Sequence, residues 1–125
     1  MILPCLFTAK TDEKGWGVFT SENIVANTII EISPVIIMTA NEKLLLDKTT
    51  LYNYIFDWEN NLCCMAMGYL PIYNHDYNSN SEYFQDYIDG TIFIKTKKYI
   101  SMNQEVTINY NGDFDCKKKV WFDVK

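Results

Sequence analysis

Two short constellations in this sequence hold residue types able to bind or position a small molecule: Gly15-Trp16-Gly17 and Asn74-His75. Glycines flanking an aromatic residue let a backbone turn tightly, or approach another group where a Cβ would clash. Read by itself, Trp16 between them is ordinary hairpin packing. His75 is the single histidine. A lone histidine more often fixes structure than moves protons, and we read this one as backbone-fixing. The cysteines Cys5, Cys63, Cys64 and Cys116 form neither CxxC nor CxC. With one histidine they do not supply a zinc site, so no metal is expected.

The elements that must position these residues are short and mostly extended. Residues 2–9 are apolar and β-leaning, and the polar turn 11–15 leads into a return strand over 16–20. Residues 28–33 and 35–39 are rich in isoleucine and valine and read as two strands separated by Pro34. Residues 41–48 form the one persuasive helix, capped by Thr39 or Asn41. A strand over 52–58 ends at Asn60-Asn61. Gly68 and Pro71 break the apolar run 62–73 into a short buried strand and a tight turn, and 74–81 reads as loop. Residues 83–88 and 91–99 form a hairpin around Asp89-Gly90, and 105–110 is a last strand. The pattern predicts a mainly β chain with one or two short helices.

At 125 residues the chain has room for one domain and one core, over 1–125. Its net charge is −5, and all 11 basic residues are lysines. Without arginine, the usual bidentate reader of phosphate and guanine, direct nucleic-acid binding is not expected. An acidic surface suits a basic partner, and it also simply keeps a protein soluble. The run Lys117–Lys119 reads as a solvated face. The opening Met-Ile-Leu-Pro-Cys-Leu-Phe has no basic region and its apolar run is broken by proline. We expect no signal peptide and no membrane span, hence an intracellular protein with reduced thiols, nuclear if its source is eukaryotic or viral.

Three separated segments, in order, resemble the landmarks of the SET domain of protein-lysine methyltransferases. Gly15-Trp16-Gly17-Val18-Phe19 resembles its GxG-x-F. Gly68-Tyr69-Leu70-Pro71-Ile72-Tyr73-Asn74-His75 resembles its apolar run into Asn-His. Gln104-Glu105-Val106-Thr107-Ile108-Asn109-Tyr110 resembles its Glu-rich strand ending in tyrosine. Asn80 stands where the family often has a second asparagine. The length resembles the small SET proteins of viruses and bacteria. Departures lie at Asp76, Ser79, Asn103 and Asn111, where serine, proline, glycine and glycine are usual, and at Ile108, where many members have an aromatic residue.

The resemblance implies a fold of several short sheets with a knot-like C-terminal threading, and methylation of lysine side chains from S-adenosylmethionine, leaving S-adenosylhomocysteine. It implies that Gly15, Trp16, Gly17, Asn74, His75 and Tyr110 bind the cofactor, Asn74 at its amino-acid portion. Tyr110 would be catalytic, orienting the methyl and the incoming nitrogen. Tyr54 would line the lysine channel, or merely pack in an aromatic strand. Ile108 would leave the amine pocket less polar and favour multiple methylation. Trp121 and Phe122, in a tail over 111–125, would cap the adenine in place of the zinc module of larger relatives, unaided or helped by a partner subunit in a homodimer. The substrate would be a basic protein or peptide, such as a histone-like tail. The alternatives are a SET-like module that binds peptide or cofactor without turnover, and an unrelated β-rich interaction protein.

Overall fold

The computed structural model describes residues 1–110, and within them the chain forms two sheets. Strands β1 (Leu6–Lys10) and β2 (Trp16–Thr20) pair antiparallel from Leu6↔Thr20 to Lys10↔Trp16. Their turn closes on Thr11, whose hydroxyl accepts the Lys14 backbone N–H, and needs Gly15 at φ +74°. On its other edge β2 pairs with β9 (Glu105–Ile108), and β9 in turn pairs in parallel with β6 (Asn74–His75). The second sheet runs in the order β4 (Phe56–Asp57), β5 (Cys63–Ala66), β3 (Ile29–Met38), β8 (Thr91–Thr96), β7 (Ser81–Asp86). Val18, Ile30, Leu70, Tyr73, Ile92, Ile94, Val106 and Ile108 form the common core.

Three expectations change. The two strands expected over 28–33 and 35–39 are one ten-residue strand, Ile29–Met38, unbroken at Pro34. Proline is tolerated because β3 changes partner there: its ladder with β8 ends at Pro34↔Thr91, and its ladder with β5 begins at Val35↔Ala66. Residues 52–58 are not one strand. Thr50–Tyr54 is a 3₁₀ helix, and only Phe56–Asp57, which face Cys63–Cys64 of β5, are extended. Asn74 and His75 are not loop but the parallel strand β6, a pairing that rests on β9, some thirty residues later, and leaves no local pattern. Helix α1 (Ala40–Leu46) opens with a Thr39/Glu42 capping box and buries none of its residues. The 111–125 tail with Trp121 and Phe122, and with it the threading expected at the C-terminus, lies outside the described residues.

One buried carboxylate ties β3 to the turn that precedes β6. Glu31, in the Ile29–Ile32 run, is fully buried. It accepts hydrogen bonds from the Ser33 hydroxyl at 2.8 Å, the Tyr69 N–H at 2.9 Å and the Tyr73 hydroxyl at 2.7 Å. Gly68 sits at φ +62°, and a Cβ there would collide with the Glu31 carboxylate and the Ser33 hydroxyl. Gly90 has a similar φ of +68° with open space around it. Gly90→Ala therefore meets only the left-handed backbone penalty, about 1–2 kcal/mol. Gly68→Ala adds displacement of a hydrogen-bonded charge, for a total of about 3–4 kcal/mol. Urea unfolding of the two variants checks this, and equal losses would show that the Glu31 cluster yields freely.

Candidate active site

The parallel pairing of β6 with β9 brings the chemistry-bearing residues together. Asn74 faces Thr107 and His75 faces Ile108 across the ladder, which continues as Asp76 N–H to the Ile108 carbonyl at 2.9 Å. Buried Asn80 locks the following loop to the same strand. Its amide donates to the Glu105 carbonyl at 2.9 Å, and its oxygen accepts the Thr107 N–H at 3.0 Å.

On one side of β9, Asn74 joins the glycine turn. Its Nδ2 donates to the Trp16 carbonyl at 3.1 Å and to Glu105 Oε2 at 2.7 Å. Both amide protons are directed at protein oxygens, and no described residue donates to Oδ1. Gly17 makes this closeness possible: a Cβ there would stand 2.6 Å from Glu105 Oε2 and 2.9 Å from Asn74 Nδ2. Gly15 serves the turn instead, with nothing near its missing side chain. Trp16 is about half exposed, with the Lys10 ammonium 5.7 Å from its ring centre. An acceptor oxygen, an exposed indole and a backbone free of Cβ atoms fit the amino-acid end and flat surface of a nucleoside-type cofactor.

On the other side stands Tyr110. Its hydroxyl donates to the Tyr73 carbonyl at 2.6 Å, and its backbone N–H donates to His75 Nδ1 at 2.9 Å. Tyr83 anchors it further, donating its hydroxyl to the Tyr110 carbonyl at 3.2 Å. Burial, reinforced by nearby Tyr54 and Glu105, pushes the Tyr110 phenol up to about 12. It stays a neutral hydroxyl at any physiological pH. His75 is buried and accepts a backbone N–H, which places its proton on Nε2. Burial lowers its pKa from the ordinary 6.5, Asp76 opposing and Lys14 adding to the effect.

Tyr110 and Tyr54 line one cleft of about 250 Å³, together with Tyr52, Phe56 and Tyr83. Ile108 does not line it: it is fully buried in the core beneath. Trp121 and Phe122 lie outside the described residues. Sequence reasoning did not single out Phe56 and Tyr83 in the cleft, Glu105 beside Asn74, or Glu31 and Tyr73 beneath. Glu31 did leave a signal, as a carboxylate inside an isoleucine run. Phe56 and Tyr83 left none, since nothing local brings β4 and β7 to one cleft.

The comparisons with known proteins agree with this arrangement. The family model described as the SET domain matches residues 15–111. A Schizosaccharomyces pombe protein named as a histone-lysine N-methyltransferase specific for H3 lysine-37 is 34% identical over 114 residues, spanning 90% of this chain and 74% of that one. A crystal structure of a Plasmodium falciparum protein carrying a provisional histone methyltransferase name superposes with a TM-score of 0.69. It is 26% identical, covering 87% of this chain and 95% of its own. The chain belongs to the SET domain family of protein-lysine N-methyltransferases.

The histidine yields a pH prediction. Its pKa is lower folded than unfolded, so as pH falls the unfolded chain takes up the proton first. The stabilisation is complete above the unfolded value of 6.5 and is lost as pH falls through the folded value. Unfolding free energy should therefore decline as pH falls below the ordinary histidine value of 6.5, and more gently in His75→Gln. Identical slopes in the two proteins would mean that other groups carry the dependence.

Proposed function

We propose that this chain, as a single SET domain over 1–125, transfers methyl groups from S-adenosylmethionine to lysine side chains of a basic protein or peptide. The observation that carries the reading is the β6–β9 pairing, which lays the strand holding Asn74 beside the one that leads into Tyr110 and is braced by the Tyr110 N–H to His75 Nδ1. Asn74 Oδ1 would accept from the ammonium of the cofactor's amino-acid portion, Gly15–Gly17 would let the backbone approach it, and Trp16 would lie against it. Trp121 and Phe122 would close over the adenine. Bound in this way, S-adenosylmethionine supplies an electrophilic methyl group on sulfur, with no metal required.

Tyr110 would serve the acceptor side. Because its proton is committed to the Tyr73 carbonyl, its oxygen keeps lone pairs for an N–H of the incoming amine. Tyr54, Phe56 and Tyr83 would surround the lysine stem and exclude water. The acidic chain, at net charge −5, supports a basic substrate, and the fission yeast relative is named for a histone lysine. Among the described residues no helix is long and apolar enough to cross a membrane. An intracellular setting, nuclear where histones are the substrate, follows from this reading.

The substrate lysine must shed its proton before it attacks. At its reference pKa of about 10.4, roughly 0.04% is neutral at pH 7. An apolar cleft and an adjacent sulfonium both favour the neutral amine, so no general base is required and the proton leaves to water. The rate should rise well into alkaline pH. Tyr110 imposes no fall below its own pKa of about 12. A profile flat from pH 6 to 10, with chemistry rate-limiting, would contradict this account.

Calorimetric titration with S-adenosylmethionine tests the assignment of roles. Wild type should bind, and Asn74→Ala should lose at least about tenfold in affinity. Tyr110→Phe should still bind but methylate basic peptides at least about a hundredfold more slowly. Binding by wild type with no turnover on any basic peptide would favour the non-catalytic module instead.

A further inference from the structure

The cleft that holds Tyr110 and Tyr54 is lined by one carboxylate, Asp57, and one ammonium, Lys43, among aromatic, aliphatic and amide groups. The two charges are paired. Lys43 Nζ stands 3.3 Å from Asp57 Oδ1, and among the described residues no other group donates to that carboxylate. The Asp57 backbone is fixed: it pairs with Cys63 in the β4–β5 ladder, and the Gln85 amide donates to its carbonyl at 2.6 Å. Its side chain is nevertheless 90% exposed. Lys43 comes from α1, which buries none of its residues. The Asp57 charge is the main cause that raises the Lys43 pKa, so the ammonium stays charged. A cation thus already rests on Asp57, at the wall of the cleft assigned to a substrate lysine. Exposed pairs of this kind contribute little and part at little cost.

We propose that Asp57 reads the charge of a residue flanking the target lysine, and that Lys43 stands in for that residue until a substrate displaces it. The inference rests on the methyltransferase reading above and narrows its substrate to peptides with a second basic residue beside the target. An extended peptide advances about 3.5 Å per residue, so the residue read lies within one or two positions of the lysine. Displacement exchanges one ion pair for another and releases the Lys43 ammonium to water. An arginine gains most from the exchange. Its guanidinium donates to both carboxylate oxygens at once, whereas Lys43 contacts Oδ1 alone. An acidic flanking residue meets the Asp57 charge and is disfavoured. Lys43 therefore competes with the substrate for the group that selects it.

Three peptides test this on the full chain, identical except for arginine, glutamine or glutamate on both sides of a single target lysine. The readout is the ratio of kcat/KM between peptides within each protein, so a general loss of activity cancels. Wild type should prefer arginine to glutamine, and glutamine to glutamate, by about three- to fivefold at each step. Asp57→Asn should flatten or reverse that order, because the Lys43 charge is then left unopposed. Lys43→Met should widen the arginine preference by about twofold or more, because the competitor is gone. Opposite effects from the two partners of one ion pair are what a merely structural bridge would not produce. The proposal is overturned if Asp57→Asn keeps the wild-type order, or if Lys43→Met narrows it. Turnover of all three peptides at equal rates by wild type overturns it too, while leaving the methyltransferase reading intact. No turnover of any peptide would overturn that reading, and this inference with it.

Discussion

The Glu31 carboxylate lies fully buried in the middle of β3, and it keeps its place through donors drawn from its own strand and from the 68–73 turn. A buried charge left without hydrogen bonds is costly, so the turn is drawn to one position rather than several. The Tyr73 hydroxyl remains a donor because burial and the neighbouring carboxylate both raise its pKa well above the ordinary phenol value. Tyr73 in turn offers its carbonyl to Tyr110, and the residue after it is Asn74. A carboxylate that touches no expected ligand thus sets the position of both residues given leading roles in transfer.

From that anchor, β9 works as a ruler shared by both sides of the site. Its parallel pairing with β6 brings Asn74 and Glu105 together on one face, and its C-terminal end delivers Tyr110 to the other. The hydrogen bond from the Tyr110 backbone to His75 Nδ1 joins the two sides, which is why the single histidine is placed as a brace.

The cleft wall made by α1 and the Thr50–Tyr54 helix has a different character. Helix α1 is held by its capping box and by an exposed Lys43–Asp57 pair at 3.3 Å, and it buries none of its residues. Exposed ion pairs contribute little. The cleft wall at α1 is thus held by few buried contacts, whereas a Cβ at Gly17 would stand 2.6 Å from Glu105 Oε2 in the Asn74–Glu105–Gly17 cluster.

Much was legible in the sequence because it was local. Strand β2, the hairpin of β7 and β8, the helix after Thr39 and the left-handed Asn103 at φ 68° follow from alternation, turn residues and capping, which act within a few positions. The three landmarks named the family and its candidate residues. What the sequence could not decide was anything resting on partners far along the chain. Pro34 sits inside a continuous strand because the neighbours change there. Tyr54 lies on a 3₁₀ turn because only residues 56–57 find a partner strand. Ile108 is core and not cleft wall because the sheet turns that face inward. The Asn74 amide is oriented by Trp16 and Glu105, 58 and 31 residues away, which take its protons. Short-range preferences are written in neighbouring residues, whereas the pairing that makes a site is settled only when burial decides which distant groups must satisfy one another.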